Sequence, residues 1–209
     1  MNIGNSYEWS THQPLIRATM ELYKPAFVLE LGIGNNSTSV LLEYTTKLLS
    51  IENNLEWINI IKNKYEKINV IYHNLGNITV DTLLKNLNEE QKKKIIEYYR
   101  KLEFPQLKPN FLFVDQYASC RTLSINSLGE KFDFVMYHDC DPTGYDANQY
   151  SLINIKGYNT YHLKTPTTWT ALMIKKEYDK GYKELNDIIT PYIKIYKNNH
   201  LEMNYMELI

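Results

Sequence analysis

The stretch VLELGIGNNSTSVLLEY, Val28–Tyr44, decides the fold. An apolar run carries one acid, Glu30, and leads into two glycines, Gly32 and Gly34. A small polar cluster follows, and then apolar residues at helical spacing. A strand buried on both faces, a tight turn and a helix make the opening unit of a parallel α/β sheet. Glycine in such a turn permits positive φ and lets a ligand come close to the backbone.

The same rhythm repeats downstream. Lys47–Glu52 (KLLSIE) reads as a second strand ending on an acid, Ile68–Tyr72 as a third, Asn110–Asp115 as a fourth and Phe132–His138 as a fifth. Helices are expected over Leu55–Tyr65, over a stretch capped by Asn88 that carries Ile95, Ile96, Tyr99 and Leu102, and over Cys120–Leu128. Upstream, Ser10 and Gln13 have capping-box spacing ahead of a helix that Lys24-Pro25 stops. Tyr158–Lys164 and Thr167–Lys175 are separated only by Thr165-Pro166. That link is too short for a parallel crossover, so the pair is an antiparallel hairpin. A helix, or two broken at Pro191, is expected over Glu177–Asn199.

The expected fold is α/β: a doubly wound, mostly parallel seven-stranded sheet with a C-terminal antiparallel hairpin strand and helices on both faces. A single domain is expected over 1–209. It divides into an N-terminal helix (1–25), a core (26–176) with a helical insertion near 77–109, and a C-terminal helical tail (177–209).

Composition narrows the function classes. The 209 residues are 44% hydrophobic and 22% charged, an ordinary globular balance. A formal net charge of −1 gives no electrostatic footprint for nucleic acid. Cys120 and Cys140 match neither a disulfide framework nor a zinc pattern, and reduced thiols are expected. The opening MNIGNSYEWS lacks a basic-then-apolar signal, and no run approaches about 18 apolar residues. These features predict a cytoplasmic protein, monomer or homodimer, with a small-molecule partner and neither membrane nor nucleic acid.

In open parallel sheets, ligands sit beyond the carboxyl ends of the strands where strand order reverses. Gly32 and Gly34 stand there. Glu52, 20 residues after Gly32, is placed to accept both hydroxyls of a ribose, so the ligand contains a nucleoside. A dinucleotide fingerprint reads G-x-G-x-x-G/A, with Ser37 standing in for its third small residue. Glu30 argues against a pyrophosphate, which a carboxylate repels, and for an ammonium or sulfonium group.

E-L-G-x-G followed by polar residues, with an acid after strand two, resembles the cofactor-binding half of class I S-adenosylmethionine-dependent methyltransferases, a Rossmann-like family. The resemblance covers roughly 27–138, and the closing hairpin fits it. It implies that the loop with Glu30, Gly32, Gly34, Asn35, Ser37 and Thr38 holds the methionine part, with Asp115 nearby. Glu52, with Asn53, would hold the ribose. His73 or Asn74 would contact adenine; an ordinary turn is the alternative for these two.

Asp115, Arg121, His138, Asp139 and Asp141 fall at the ends of strands four and five, on the same rim. Methyl transfer from a sulfonium is an in-line displacement, for which positioning supplies most of the acceleration. A hydroxyl acceptor must also lose a proton. In one arrangement His138 or Asp139 is the base, and Arg121 grips an anionic substrate. In the other, Asp115, Asp139 and Asp141 hold Mg²⁺ or another divalent cation. The second is similar to metal-dependent O-methyltransferases, though His138-Asp139 replaces the usual acid-Asn order. Asp139 or Asp141 capping the loop at Pro142 is the plain structural alternative.

No N-P-P-Y tetrad follows strand four, which counts against methylation of DNA bases. The expected acceptor is a small polar or carbohydrate-like molecule, methylated on oxygen. STHQP, with His12, is expected to close over the cofactor, and Tyr145–Tyr161 to line the acceptor pocket; a capped helix and a surface loop are the alternatives. Two other functions share these residues. One is a NAD-dependent oxidoreductase, and the other a non-catalytic binding module that kept the fold.

Overall fold

The computed structural model describes residues 10–66, 68–199 and 205–209, and for 145–147 the backbone alone. Residues 1–9 of the expected N-terminal segment and 200–204 of the expected tail lie outside the described residues. Eight strands form one sheet: β1 (Phe27–Leu31), β2 (Leu48–Glu52), β3 (Asn69–Tyr72), β4 (Asn110–Val114), β5 (Phe134–His138), β6 (Tyr158–Lys164), β7 (Trp169–Lys175) and β8 (Glu207–Leu208). Their order is β3-β2-β1-β4-β5-β7-β6-β8. The first five are parallel, and β7 lies antiparallel between β5 and β6. This is a mostly parallel, Rossmann-like sheet whose order reverses between β1 and β4.

Alternation along the strands feeds two cores. Leu29, Leu31, Leu112, Val114 and Val135 face one side. There they meet Ile95 and Tyr99 of α4 (Glu89–Lys101) and Ile125 and Leu128 of α5 (Ala118–Leu128). Val28, Phe111, Phe113, Phe134 and Met136 face the other. They meet Leu15 and Ile16 of α1 (Gln13–Tyr23), Leu41 of α2 (Thr38–Tyr44), and Leu185 and Ile189 of α7 (Tyr182–Asn199). Fully burying one such side chain contributes roughly 1.5–3 kcal/mol, so the double alternation holds the helices on both faces. Helix α3 (Leu55–Lys64) follows β2, and α6 (Pro142–Asn148) follows β5.

Four details depart from the expectations. The sheet has eight strands rather than seven, because the two-residue β8 pairs with β6 through Leu163–Leu208 and Lys164–Glu207. Ser10 does not cap α1; its hydroxyl bonds Tyr196 of α7 at 2.8 Å, and His12 takes the N-cap position without a side-chain bond. A tertiary partner has replaced the local one. α7 starts at Tyr182 and not at Glu177; it is one helix, the undivided alternative, and Pro191 removes one backbone donor without ending it. α6 was not expected at all. Asn88 does cap α4 in a full capping box with Gln91. Among the described residues no helix is long and apolar enough to cross a membrane.

Candidate functional site

A cavity of about 820 Å³ opens over the carboxyl ends of β1, β4 and β5. That volume lies within the range of about 300–1,000 Å³ common for small-molecule sites. Four groups of residues shape it: the β1–α2 turn, the end of β2 with the neighbouring Asn54, Trp57 and Val80, the ends of β4 and β5, and a wall made by His12, Thr167 and Thr168.

The turn is held from beneath. Gly32 has φ +91°, and a Cβ there would lie 2.4 Å from the Asp115 carbonyl oxygen. Both the conformation and the closeness of β4 demand glycine. Gly34 has neither constraint beyond a 3.3 Å approach to Ser37 Oγ. Glu30 is 0% exposed and lies beneath the turn instead of on the cavity lining. Its carboxylate accepts hydrogen bonds from Ser37 Oγ (2.7 Å), Thr38 Oγ1 (2.9 Å) and Ser50 Oγ (2.7 Å). Burial pushes its pKa up to about 7, against the pull of those hydroxyls. Glu30 therefore braces the turn, and the expectation that it faces a cationic ligand is corrected. Thr38 belongs to that brace, and its Oγ1 also accepts from Gly34 N at 3.0 Å. Asn35 and Ser37 do line the cavity.

Glu52 lines the cavity from the end of β2. Its Oε2 accepts from Ile33 N (2.9 Å), and its Oε1 from Asn53 N (2.6 Å) and Asn54 N (2.8 Å). Burial raises its pKa, and the three amides oppose the rise. Asn53 turns away to donate to the His73 carbonyl at 3.2 Å; Asn54, which caps α3, takes the place expected for it on the lining. His73 stacks on Tyr98 with ring centroids 3.5 Å apart, and burial lowers its pKa to about 4. Asn74 accepts from Gly76 N in a local turn. Neither lines the cavity; Trp57, Val80 and Tyr117 supply its apolar flank.

The strand ends carry a closed charge network. Arg121 donates through Nη2 to Asp115 Oδ1 (2.8 Å), through Nη1 to Asp139 Oδ2 (2.6 Å) and through Nε to the Gln116 carbonyl (2.7 Å). Burial works against its charge, but Tyr150, Asp115 and Asp139 outweigh it and hold the pKa above the ordinary value. The guanidinium fork expected for a substrate anion is thus spent on two of the protein's own acids.

His138 Nδ1 lies 3.5 Å from Asp115 Oδ2 and 3.4 Å from Asp139 Oδ1, while Nε2 is 2.9 Å from Thr11 Oγ1. Burial disfavours its charge, but the two carboxylates win and raise its pKa. Asp139, at φ +57°, also accepts from Thr168 Oγ1 at 3.0 Å. Burial alone would raise its pKa, yet His138 and Arg121 hold it well below the usual carboxylate range. Asp139 is therefore tied to Arg121 and Thr168, whereas His138 is held through Nε2 and turns Nδ1 towards the two carboxylates.

Asp141 is not among the lining residues. Its Oδ1 accepts from Thr143 N (3.0 Å) and Gly144 N (3.1 Å) at the start of α6, and its Oδ2 from Thr168 Oγ1. It caps the chain at Pro142, as the structural alternative had it, although what starts there is a helix and not a loop, and the three acids do not gather as one metal cluster. The segment from Tyr145 onward does not line the cavity among the described residues either. Tyr150 is buried and donates to the His138 carbonyl at 2.8 Å, so the segment packs under the site.

His12 belongs to the site and was absent from the expected catalytic set. It is 1% exposed, and its ring centroid lies 4.8 Å from that of His138, edge to face. Neither ring nitrogen has a hydrogen-bond partner. Burial, then the charge of His138, lowers its pKa to about 3, so it is neutral. The one signal was the position of STHQP just ahead of a helix.

Comparison with known proteins bears on the fold. No protein-family model matches the sequence, and no curated protein matches it. Among solved structures, a methyltransferase-like protein from Silicibacter pomeroyi matches at a TM-score of 0.51 and 15% identity, over 84% of this chain and 88% of that one. A methyltransferase from Geobacter sulfurreducens matches at 0.49 and 8%, over 79% and 78%. The N-methyltransferase NodS from Bradyrhizobium japonicum matches at 0.49 and 11%, over 81% and 95%. With its parallel strands, reversed β7 and cavity at the switch point, the chain has the Rossmann-like fold of the Silicibacter methyltransferase-like protein.

Proposed function

We propose that the chain is an S-adenosylmethionine-dependent methyltransferase acting on oxygen of a small polar or carbohydrate-like acceptor. The observation that carries this reading is Glu52: a carboxylate at the end of β2, on the cavity lining, beside a turn whose Gly32 admits no Cβ.

The residues present fit that cofactor. Glu52 keeps acceptor capacity beyond its three amide bonds for ribose hydroxyls. The backbone of 32–37 and the Asp115 carboxylate would take the methionine end. Trp57, Val80 and Tyr117 would flank the base. Bound there, S-adenosylmethionine supplies an electrophilic methyl group. The acceptor would then lie against His12, His138 and Thr168, which exclude water and orient it. Arg121 keeps Asp115 and Asp139 fixed during this. A net charge of −1 favours a small acceptor over nucleic acid.

Calorimetric titration with S-adenosylhomocysteine, run beside NAD, tests the reading. Binding of the first alone is expected, weakened about 10–100-fold in Glu52→Ala, the loss that follows when hydrogen bonds to a charged group go. Absence of binding at millimolar S-adenosylhomocysteine would overturn it, and binding of NAD alone would favour the oxidoreductase.

A further inference from the structure

One side of the cavity holds a group that the donor-binding role leaves without a task. His12 is buried with both ring nitrogens unpartnered. Buried polar atoms in folded proteins nearly always have a partner, so an orphaned imidazole on a cavity wall calls for one. One ligand atom each from His12, Asp115 and His138 lie within 4.8 Å of one another. The three come from the loop before α1, the end of β4 and the end of β5, and all line the cavity.

The surroundings already orient two of the three. His138 Nε2 is engaged by Thr11 Oγ1 at 2.9 Å, which leaves Nδ1 as the atom facing the group. Asp115 Oδ1 is held by Arg121 at 2.8 Å, which leaves Oδ2, 3.5 Å from His138 Nδ1. Outer partners that fix the ligand atoms in this way are the usual support of a metal centre. Two imidazoles and one carboxylate suit a borderline divalent ion of the first transition series, whereas Mg²⁺ selects oxygen ligands.

We propose that His12, Asp115 and His138 bind a divalent first-row transition-metal ion, of the Zn²⁺ or Co²⁺ kind, with its open positions turned to the cavity. Metal–ligand distances of about 2.0–2.2 Å in a tetrahedral site put two ligand atoms about 3.4 Å apart. His138 Nδ1 and Asp115 Oδ2, at 3.5 Å, already stand at that separation; the His12 ring must move in by up to about 1.4 Å, and no hydrogen bond holds it against that movement. The site shares Asp115 with the acid trio expected from sequence but replaces both other acids with histidines. Asp141 takes no part, since it caps α6. An ion here would face the acceptor side and lower the pKa of a bound hydroxyl or water. Metal binding itself does not depend on the methyl-donor reading.

The test uses the whole chain stripped with a chelator, then titrated with Co²⁺ by calorimetry and by its visible absorption bands, with Mg²⁺ in parallel. One Co²⁺ per chain is expected, with little response to Mg²⁺. His12→Ala, and His12→Gln as a near-isosteric second variant, should weaken Co²⁺ binding by about 100-fold. Asp141→Asn should leave it unchanged, and circular dichroism checks that each variant is folded. No Co²⁺ or Zn²⁺ binding at millimolar ion overturns the proposal. So does binding that survives both His12 substitutions, or an equal loss in Asp141→Asn. S-adenosylhomocysteine binding without metal binding would overturn this inference alone.

Discussion

At the scale of single residues, Gly32 and Gly34 look equivalent in the sequence and differ in the fold. Gly32→Ala combines φ +91° with a backbone atom 2.4 Å from the new Cβ. A positive φ costs a non-glycine residue about 1–2 kcal/mol, and the clash adds to it. Gly34→Ala meets only a side-chain hydroxyl at 3.3 Å. Urea unfolding is expected to show a loss of about 3 kcal/mol or more for the first and under about 1 kcal/mol for the second. Equal losses would contradict the described turn.

Glu30 gives a pH signature. Its pKa rises from 4.5 to about 7 on folding, through burial. The folded state therefore holds that proton more tightly. Its contribution is intact below pH 4.5 and is lost as pH climbs through 7, a change of roughly 3 kcal/mol. Stability should fall between pH 5 and pH 8 in the wild type, and Glu30→Gln should flatten that slope. Parallel slopes in the two proteins would contradict a buried, hydroxyl-bonded carboxylate.

At the scale of elements, the buried parallel strands were legible because a strand covered on both faces is a short apolar run between turn signals. Asn88 was legible for a local reason, the reciprocal bonds of its capping box. Asn88→Ala is expected to cost about 1 kcal/mol in urea unfolding while leaving ligand binding unchanged. A loss of ligand affinity would tie α4 to the site. Ser10 shows the opposite case. Its spacing promised a cap, but Tyr196 lies 186 positions away, and only the docking of α7 brings that hydroxyl within reach. α6 opens on Pro-Thr-Gly with no apolar stripe, and β8 is two residues long. Neither offers a period to read.

At the scale of the whole molecule, Asp115, Arg121, His138 and Asp139 meet on the rim where the cavity opens, but their partners could not be assigned from the sequence. Asp115, Arg121, His138 and Asp139 were foreseeable as neighbours because parallel strands end together. That Arg121 would turn inward to the acids, and that His12 would arrive from more than a hundred residues away, depend on packing distances no local pattern records. Glu30 was read by its charge and proved decisive by its burial. Glu52 combines a strand-end position with a carboxylate on the cavity lining that is bonded only to backbone amides and not to Arg121, so the proposed function stands on what that carboxylate meets.

The most direct measurement is a crystal structure of the chain soaked with S-adenosylhomocysteine. The account predicts ribose hydroxyls within hydrogen-bond distance of Glu52 and the amino-acid end along residues 32–37. Ligand density elsewhere, or a cavity left empty at saturating ligand, would contradict it.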